Sequence, residues 1–479
     1  MPLTRQQHKD LLGALRKQAA YKTGKTNPLS AECYSPRTLN IRPITNEESF
    51  EDHTGRSVHE GSVYQAEGAE WDTTFAIEPS GTSATAADWA IFFAHGFFTS
   101  AVQYRGGTTI SGAGGVNSAY VSNASGLTAL MGLKVEDNTS TSSYNMRLIV
   151  EVSAGGVSGG SGGRIVWAPA LSAGPSDGNR VGWTNTYAFD DTANDSSFTL
   201  WQWLTTDERW AIGAVGNNYT VNVGGNKSPV ASITGFAREY RHAAPTTLAS
   251  AITTAVGTKL RITDADNIDA GATVKVSGGE IMTLGYKYEG TSGIFSAGPA
   301  QRGLNASVAT SHLNGATVAM NKPIPTLAGS PIPSPYVVAD VSLTSSTVAR
   351  LEGTDATLTF ADAIVPDEQE FGDAHIIPSW GKGDGDMKPM LTVTGKLDET
   401  VLAQYARLKR GSMLSVALRA GKKANKTWGA IYPNAVTQMF EHTDGDGKGS
   451  VACTQKWEAR APRANAAGTS PNACYIIEG

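Results

Sequence analysis

The chain has 479 residues, 17% of them charged and 40% hydrophobic, with 53 Gly, 3 Cys and a formal net charge of -5. Soluble domains typically carry about a quarter charged residues, so this composition excludes a charge-rich disordered chain and leaves the surface to Ser, Thr, Asn and Gly or to cover by other copies. Length beyond the roughly 250–300 residues at which single cores stop growing predicts two or three domains; the longest apolar run, 89–98, is broken by His95 and falls short of the roughly 20 residues that cross a bilayer, so no membrane insertion is expected.

Residues 1–30 form a basic arm. Arg5, Lys9, Arg16, Lys17, Lys22 and Lys25 against Asp10 give it +5, which leaves -10 on the rest of the chain. The arm lacks the continuous apolar stretch of a secretory signal. Leu11, Leu12 and Leu15 fall on one face of a short predicted helix, so the arm is expected to dock on a neighbouring protein, with Leu12 and Leu15 as apolar contacts and Arg5, Lys9, Arg16 and Lys17 as basic ones. From residue 31 onward short strands alternate with Gly, Ser, Asn and Asp clusters, as at 37–41, 71–77, 147–152, 219–223, 273–276, 390–394 and 412–418. Two segments have helical length and apolar spacing, 86–95 and 398–410, and each stops at a glycine, Gly96 and Gly411.

These helices delimit an internal repeat. The first copy runs from a strand at Thr38 and Leu39 through an acidic loop (Asn46, Glu47, Glu48, Ser49, Phe50, Glu51, Asp52, His53) to a strand ending Phe75, Ala76, Ile77, then the helix. The second runs from Thr359 and Phe360 through Asp367, Glu368, Gln369, Glu370, Phe371, Gly372 and Asp373 to Leu391, Thr392, Val393, then the helix. Between them, 106–178 is Gly- and Ser-rich and reads as long loops on a sheet scaffold, and 246–325 reads as a separate small β module. Pro323, Pro325, Pro331, Pro333 and Pro335 make a stiff linker into the second copy. The predicted organisation is a basic arm at 1–30, a first domain with Gly-rich insertions at 31–245, the inserted module and linker at 246–325, and a second domain at 326–479.

Enzymatic patterns fail on context. His95, Gly96 and Phe97 with Gly156, Val157, Ser158, Gly159 and Gly160 imitate a hydrolase, but the glycines after Ser158 cannot hold the helix a nucleophile elbow needs. Asp444, Gly445, Asp446, Gly447, Lys448 and Gly449 imitate a calcium loop but put Lys448 at a ligand position and Gln455 at the twelfth. A glycine-rich hairpin turn fits better. Trp201, Trp203 and Trp210 allow a sugar-stacking face, although their spacing favours core or interface packing. Cys33, Cys453 and Cys474 are too few and scattered for a disulfide framework and lack metal-ligand spacing; an intermolecular bridge stays open. No catalytic residue, metal site or cofactor is expected.

The duplicated unit resembles the tail tube proteins of long-tailed, siphovirus-like bacteriophages. Thr357, Leu358, Thr359 and Phe360 through Phe371, then Pro389, Met390, Leu391, Thr392, Val393, Thr394 and Gly395, then 397–408, are similar to the C-terminal half of that family. Arg209, Trp210, Ala211, Ile212, Gly213, Ala214 and Val215, with 219–223 and Ile233, Thr234, Gly235 and Phe236, resemble the strands closing its first half. The module resembles small β inserts of phage structural proteins through Gly279, Glu280, Gln301, Arg302 and Gly303.

The resemblance implies a mainly β protein of two tandem tail-tube-type β-sandwich or barrel domains, each with a flanking short α-helix, plus the inserted β module. It implies a non-enzymatic virion component, assembled in the host cytoplasm, whose rings stack into a tube through which double-stranded DNA passes without adhering. Two tube domains per chain imply a ring of three chains with pseudo-sixfold symmetry; a single elaborated sandwich would make it six. Glu47, Glu48, Phe50, Glu51, Asp52, Glu368, Glu370, Phe371 and Asp373 are the expected inter-ring contacts, and carboxylates facing the lumen are expected to repel phosphate. The implied partners are further copies of the chain, a tape measure protein, a tail terminator and baseplate proteins. Alternatives are another tail ring protein, such as a terminator or baseplate component, and a carbohydrate-binding β-sandwich.

Overall fold

The computed structural model describes residues 11–17, 28–49, 62–94 without 84, 98, 102–136, 143–154, 162–189, 197–204, 208–224, 228–243, 245–253, 259–325 without 266–267, 269–270, 287, 289–292 and 297–300, 332, 337–342, 348–366 without 362–363, 380–382, 389–396, 412–443 without 424, 452–460 and 472–479. Of these, 64% lie in strands and 3% in helices, so the chain is mainly β. It opens with β1 Leu12–Lys17, β2 Cys33–Tyr34, β3 Pro36–Ser49, β4 Ser62–Ala76 and the helix α1 Ala90–Ala94. An insertion carries β5 Val102–Tyr104, β6 Thr108–Thr109, β7 Ser118–Val121, β8 Gly132–Glu136, β9 Tyr144–Ala154, β10 Gly163–Ala168, β11 Arg180–Gly182 and β12 Thr184–Ala188. The chain continues with β13 Phe198–Trp203, β14 Glu208–Gly224 and β15 Val230–Ala243, then β16 Thr246–Thr247, β17 Lys259–Arg261, β18 Thr273–Val276, β19 Ile281–Thr283, β20 Ile294–Ser296 and β21 Thr317–Met320. The last part holds β22 Val337–Ser342, β23 Val348–Ala361, β24 Ile364–Pro366, β25 Trp380–Lys382, β26 Met390–Lys396, β27 Met413–Lys423, β28 Lys426–Thr443, β29 Ala452–Ala459 and β30 Tyr475–Glu478.

Two closed circuits of antiparallel strands organise the molecule. The first runs β1–β13–β14–β15–β4–β3, and β2, which leads directly into β3, returns to β1. The second runs β22–β27–β28–β29–β26–β23, and the first half of β23 returns to β22. Strand order along the chain and around each circuit is the same. Three irregularities match as well: the bulge between Pro36 and Thr38 corresponds to that between Gly353 and Asp355, Phe198/Leu200 to Leu414/Val416, and Gly216/Asn218 to Thr437/Met439, while those at Pro43/Thr45 in β3 and Ala420/Lys423 in β27 have no counterpart among the described residues. A bulge re-aims every side chain beyond it, so three bulges at corresponding places keep the same faces inward in both circuits. By this register Thr73 corresponds to Val393, which shifts the match of Phe75–Ile77 to Leu391–Val393 expected from sequence by four residues.

Period-two alternation builds the walls. In β4, Ala69, Trp71, Thr73 and Phe75 are buried while Glu70, Asp72, Thr74 and Ala76 turn outward; in β26, Leu391 and Val393 are buried between Thr392 and Thr394. One hydrophobic core, containing Leu39, Trp71, Phe75, Val221, Leu358, Val393, Trp428 and Trp457, runs through both circuits. The short α1 is its plug: Phe92 stacks on Phe75 with ring centres 5.2 Å apart and meets Tyr34 edge-on at 4.7 Å. Phe93 reaches Phe98, which packs at 5.3 Å on Phe360 of the second circuit. Of the expected helix at 86–95, residues 90–94 are helical and 86–89 are not; residue 95 and the expected helix at 398–410 lie outside the described residues.

The arm differs most from expectation. Residues 12–17 form a strand paired with β13, and the expected docking helix is absent there. The cause is burial on two sides: Leu12 and Ala14 pack with Trp201, Trp203 and Trp210, while Leu15 enters the main core. A strand covered on both faces reads as a continuous apolar run, which periodicity cannot separate from a helix. Gly13 is required at the crossing, since a Cβ there would lie 2.4 Å from the Tyr34 ring.

The Gly-rich stretch is more ordered than loops on a scaffold. It forms a six-stranded sheet, β6–β11–β8–β9–β10–β7, around its own core of Leu133, Val135, Ile149, Ile165 and Trp167. Glycine here serves tight turns, as at Gly112 and Gly178 with φ of 78° and 82°. The module at 246–325 likewise encloses a separate core, including Leu260, Val274, Met282 and Phe295. Its Glu280 is held by Arg302 and His312 at 2.8 and 2.7 Å. Burial alone would raise this carboxyl, but the Arg302 guanidinium, the Thr310 N–H and His312 bring it to about 2.

Candidate assembly interface

The two circuits are joined edge to edge. Antiparallel pairing of Asn218–Gly224 in β14 with Asp355–Ala361 in β23 makes β3–β4–β15–β14–β23–β26–β29–β28 one continuous run of eight strands. One face of that run is the apolar core. The other carries Thr38, Asn40 and Arg42 on β3, Asp72 and Thr74 on β4, Thr220 and Asn222 on β14, Thr357 and Thr359 on β23, Thr392 and Thr394 on β26, and Thr454 and Lys456 on β29, all partly or fully exposed. Cross-strand hydrogen bonds knit this face: Thr38 with Thr74 at 2.6 Å, Asn40 Nδ2 to Asp72 at 2.8 Å, Thr357 Oγ1 to Asn222 Oδ1 at 3.1 Å, and Thr394 with Thr454 at 3.1 Å. Arg42 also donates to Asp72 at 3.2 Å.

The run ends in two strand edges. Among the described residues β3 pairs only with β4, and the second edge of β28 beyond Val436, where β27 stops, has no partner strand. Such edges present free N–H and C=O groups and are a template for another strand.

The residues expected to carry function are placed as follows. Leu12, packed with Trp201, Trp203 and Trp210, and Leu15, in the main core on the opposite face of β1, are both buried and so contact this chain. Arg16 pairs with Glu32 at 3.1 Å, and Lys17 stands opposite Phe198 in the strand register. Glu47 and Glu48 belong to β3, opposite Tyr64 and Val63, so the first acidic loop begins as a hairpin extension. Phe50, Glu51, Asp52, Glu368, Glu370, Phe371, Asp373, Arg5 and Lys9 lie outside the described residues, as do His95, Ser158 and Asp444 to Gly449. Ile364–Pro366 and Trp380–Lys382, on either side of the second acidic segment in the sequence, pair with each other. Trp201, Trp203 and Trp210 are buried and offer no face to a sugar. All three cysteines are free and buried, and burial pushes the Cys33 thiol up to about 11. No helix among the described residues is long and apolar enough to cross a membrane.

Sequence reasoning missed three polar features. The first is the threonine ladder itself, visible in hindsight as alternate polar positions in 38–42 and 390–396. The second ties the insertion to the second circuit: Arg147 of β9 donates to Asp340 of β22 at 2.5 Å, and Arg350 of β23 donates to the same carboxylate at 2.8 Å. Burial raises this carboxyl, and the two guanidinium groups more than offset it, leaving it below its ordinary value. The third is Lys134, 1% exposed, whose Nζ stands 4.6 Å from the Trp183 ring centre and 5.4 Å from that of Tyr144, at a cleft of about 710 Å³ also lined by Arg105 and Arg180. Desolvation lowers Lys134 to about 8.

No protein-family model matches this chain, and no curated protein matches its sequence. The functional reading therefore rests on the residues and the fold.

Proposed function

We propose that the chain is a structural protein of a long-tailed phage, built of two tandem tail-tube-type domains, whose rings stack into the tube that delivers DNA. One observation carries the reading: two like circuits share a single eight-stranded sheet that is apolar on one face, polar on the other and, among the described residues, unpaired at both ends. A monomer bearing two such edges is prone to uncontrolled association, whereas a ring of copies removes both edges at once.

Three chains with eight strands each would close a barrel of 24 strands. At about 4.8 Å between strands, such a barrel is roughly 37 Å across untilted and roughly 48 Å at a 40° tilt, wide enough for a duplex. Six chains would double that width, so the dimensions favour three. The polar face would line the lumen. Its described charges include Arg42, Lys396 and Lys456 against Glu70, Asp72, Asp355, Glu441 and Glu458, which is milder than the strongly acidic lumen expected from net charge. Low adhesion then comes from a dense layer of hydroxyl and amide groups with few unbalanced cations for phosphate to grip. Glu47, Glu48 and the acidic residues at 367–373 would contact the next ring, and the tube would meet a tape measure protein inside and terminator and baseplate proteins at its ends.

Negative-stain electron microscopy of the expressed chain tests this. Stacked annuli with three copies per ring are expected. Isolated rings that never stack would favour a terminator or baseplate component, and a monodisperse monomer at high concentration would refute the proposal.

A further inference from the structure

The matched bulges make the two circuits numerically superimposable. From Gly216/Asn218 to Thr437/Met439 the shift from β14 to β28 is 221 residues, and from Pro36/Thr38 to Gly353/Asp355 the shift from β3 to β23 is 317. The junction inside the chain, β14 against β23, therefore has a counterpart, β28 against β3. Within one chain that counterpart is not formed: both edges are unpaired among the described residues.

We infer that residues 440–443 of β28 pair antiparallel with residues 40–43 of β3 in a second copy of the chain, setting Glu441 opposite Arg42. The register is the internal one carried over by the two shifts, up to the β3 bulge at Pro43/Thr45. Thr220 opposite Thr359 becomes Glu441 opposite Arg42; Asn222 opposite Thr357 becomes Thr443 opposite Asn40.

Two features of the sequence at these positions fit a designed contact. A neutral threonine pair inside the chain is replaced by an acid and a base at the counterpart, both exposed, and opposite charges directly across an antiparallel pair attract while like charges repel. The asparagine–threonine pair is kept with its two members exchanged between strands. Arg42 already leans on Asp72 at 3.2 Å, so Glu441 would complete a carboxylate–guanidinium–carboxylate row along the polar face. A second copy is the occupant because only this chain presents both edges in this register, and using one edge always leaves the other for the next copy. The pairing is heterologous and must close into a ring or run on as a helix.

The inference rests on the ring-forming reading, and the test separates the two. Arg42→Cys with Glu441→Cys puts two thiols directly opposite, at a Cα separation a disulfide spans, while the three native cysteines are buried. Oxidation of the assembled variant should give covalent dimers and trimers on a non-reducing gel, with each single variant staying monomeric. Independently, Glu441→Arg should raise the protein concentration needed for ring formation roughly tenfold per interface without lowering the melting temperature of the unassembled chain. Rings that form normally in both variants with no cross-link would overturn the register and leave the ring reading standing. Absence of rings in the unmodified protein would remove both.

Discussion

Replacing Asp340 with alanine strips a carboxylate that Arg147 grips at 2.5 Å. Arg147 is 1% exposed, and it also donates to the carbonyls of Met146 and Ala170. Breaking one side of a buried ion pair costs about 3–5 kcal/mol, since the remaining charge stays desolvated. That is roughly 10²–10⁴ in the unfolding equilibrium. Asp340→Asn keeps an acceptor oxygen and should fall at the low end. Urea unfolding of the unassembled chain, followed by tryptophan fluorescence, reads the total. Hydrogen exchange should show the loss first along β9 and β22. The double variant Arg147→Met with Asp340→Leu fills the same space without charge and should recover most of the stability. The pH dependence has a defined sign: the folded-state carboxyl lies below its unfolded value, so its contribution is present above the ordinary carboxylate range and disappears as pH falls through the lowered value. A loss under about 1 kcal/mol in Asp340→Ala, or a double variant no better than the single, would show that the bridge is solvated and refute the reasoning.

Further outcomes follow from the same contacts. Lys134→Met should stabilise the protein near neutral pH by about 2 kcal/mol, the roughly 3 kcal/mol of desolvation implied by its lowered value less about 1 for the lost ring contact. Because the folded lysine releases its proton near 8 and the unfolded one near 10.5, wild-type stability should rise between those values; a melting temperature rising equally in the variant would assign that slope to another group. Removing residues 1–17 should unfold the first circuit, seen as lost near-ultraviolet dichroism, because β13 loses its neighbour; a truncated chain that folds but fails to assemble would restore the arm as a docking element. Leu15→Ala should cost about 2–5 kcal/mol, measured by the same urea titration. Thiol titration should find all three cysteines unreactive until denaturant is added, and rapid modification of Cys33 in the native protein would contradict its burial.

Much of the site's polar chemistry is written in local alternation. Thr392 and Thr394 between Leu391 and Val393, or Glu70, Asp72 and Thr74 between Ala69, Trp71, Thr73 and Phe75, declare a strand with one wet face before any partner is known. The insertion showed its strand at 147–152, inside β9, but not its other strands, because glycine-rich turns dominate its composition. Leu12 and Leu15 misled for a different reason: both faces of their strand are covered, so no polar position marked the period.

Local pattern alone therefore determined that this is a mainly β chain with strands wet on one side and with a recurring strand, hairpin and strand unit, because side-chain alternation is a property of neighbouring residues. Tertiary structure decided which strands are neighbours, where the bulges fall, and which edges stay unpaired. Those depend on contacts between residues more than a hundred positions apart, such as Thr220 with Thr359, whose pairing energy has no trace in either segment read by itself. Glu441 and Arg42 are ordinary surface residues in the sequence; only the shared register of the two circuits sets them opposite each other.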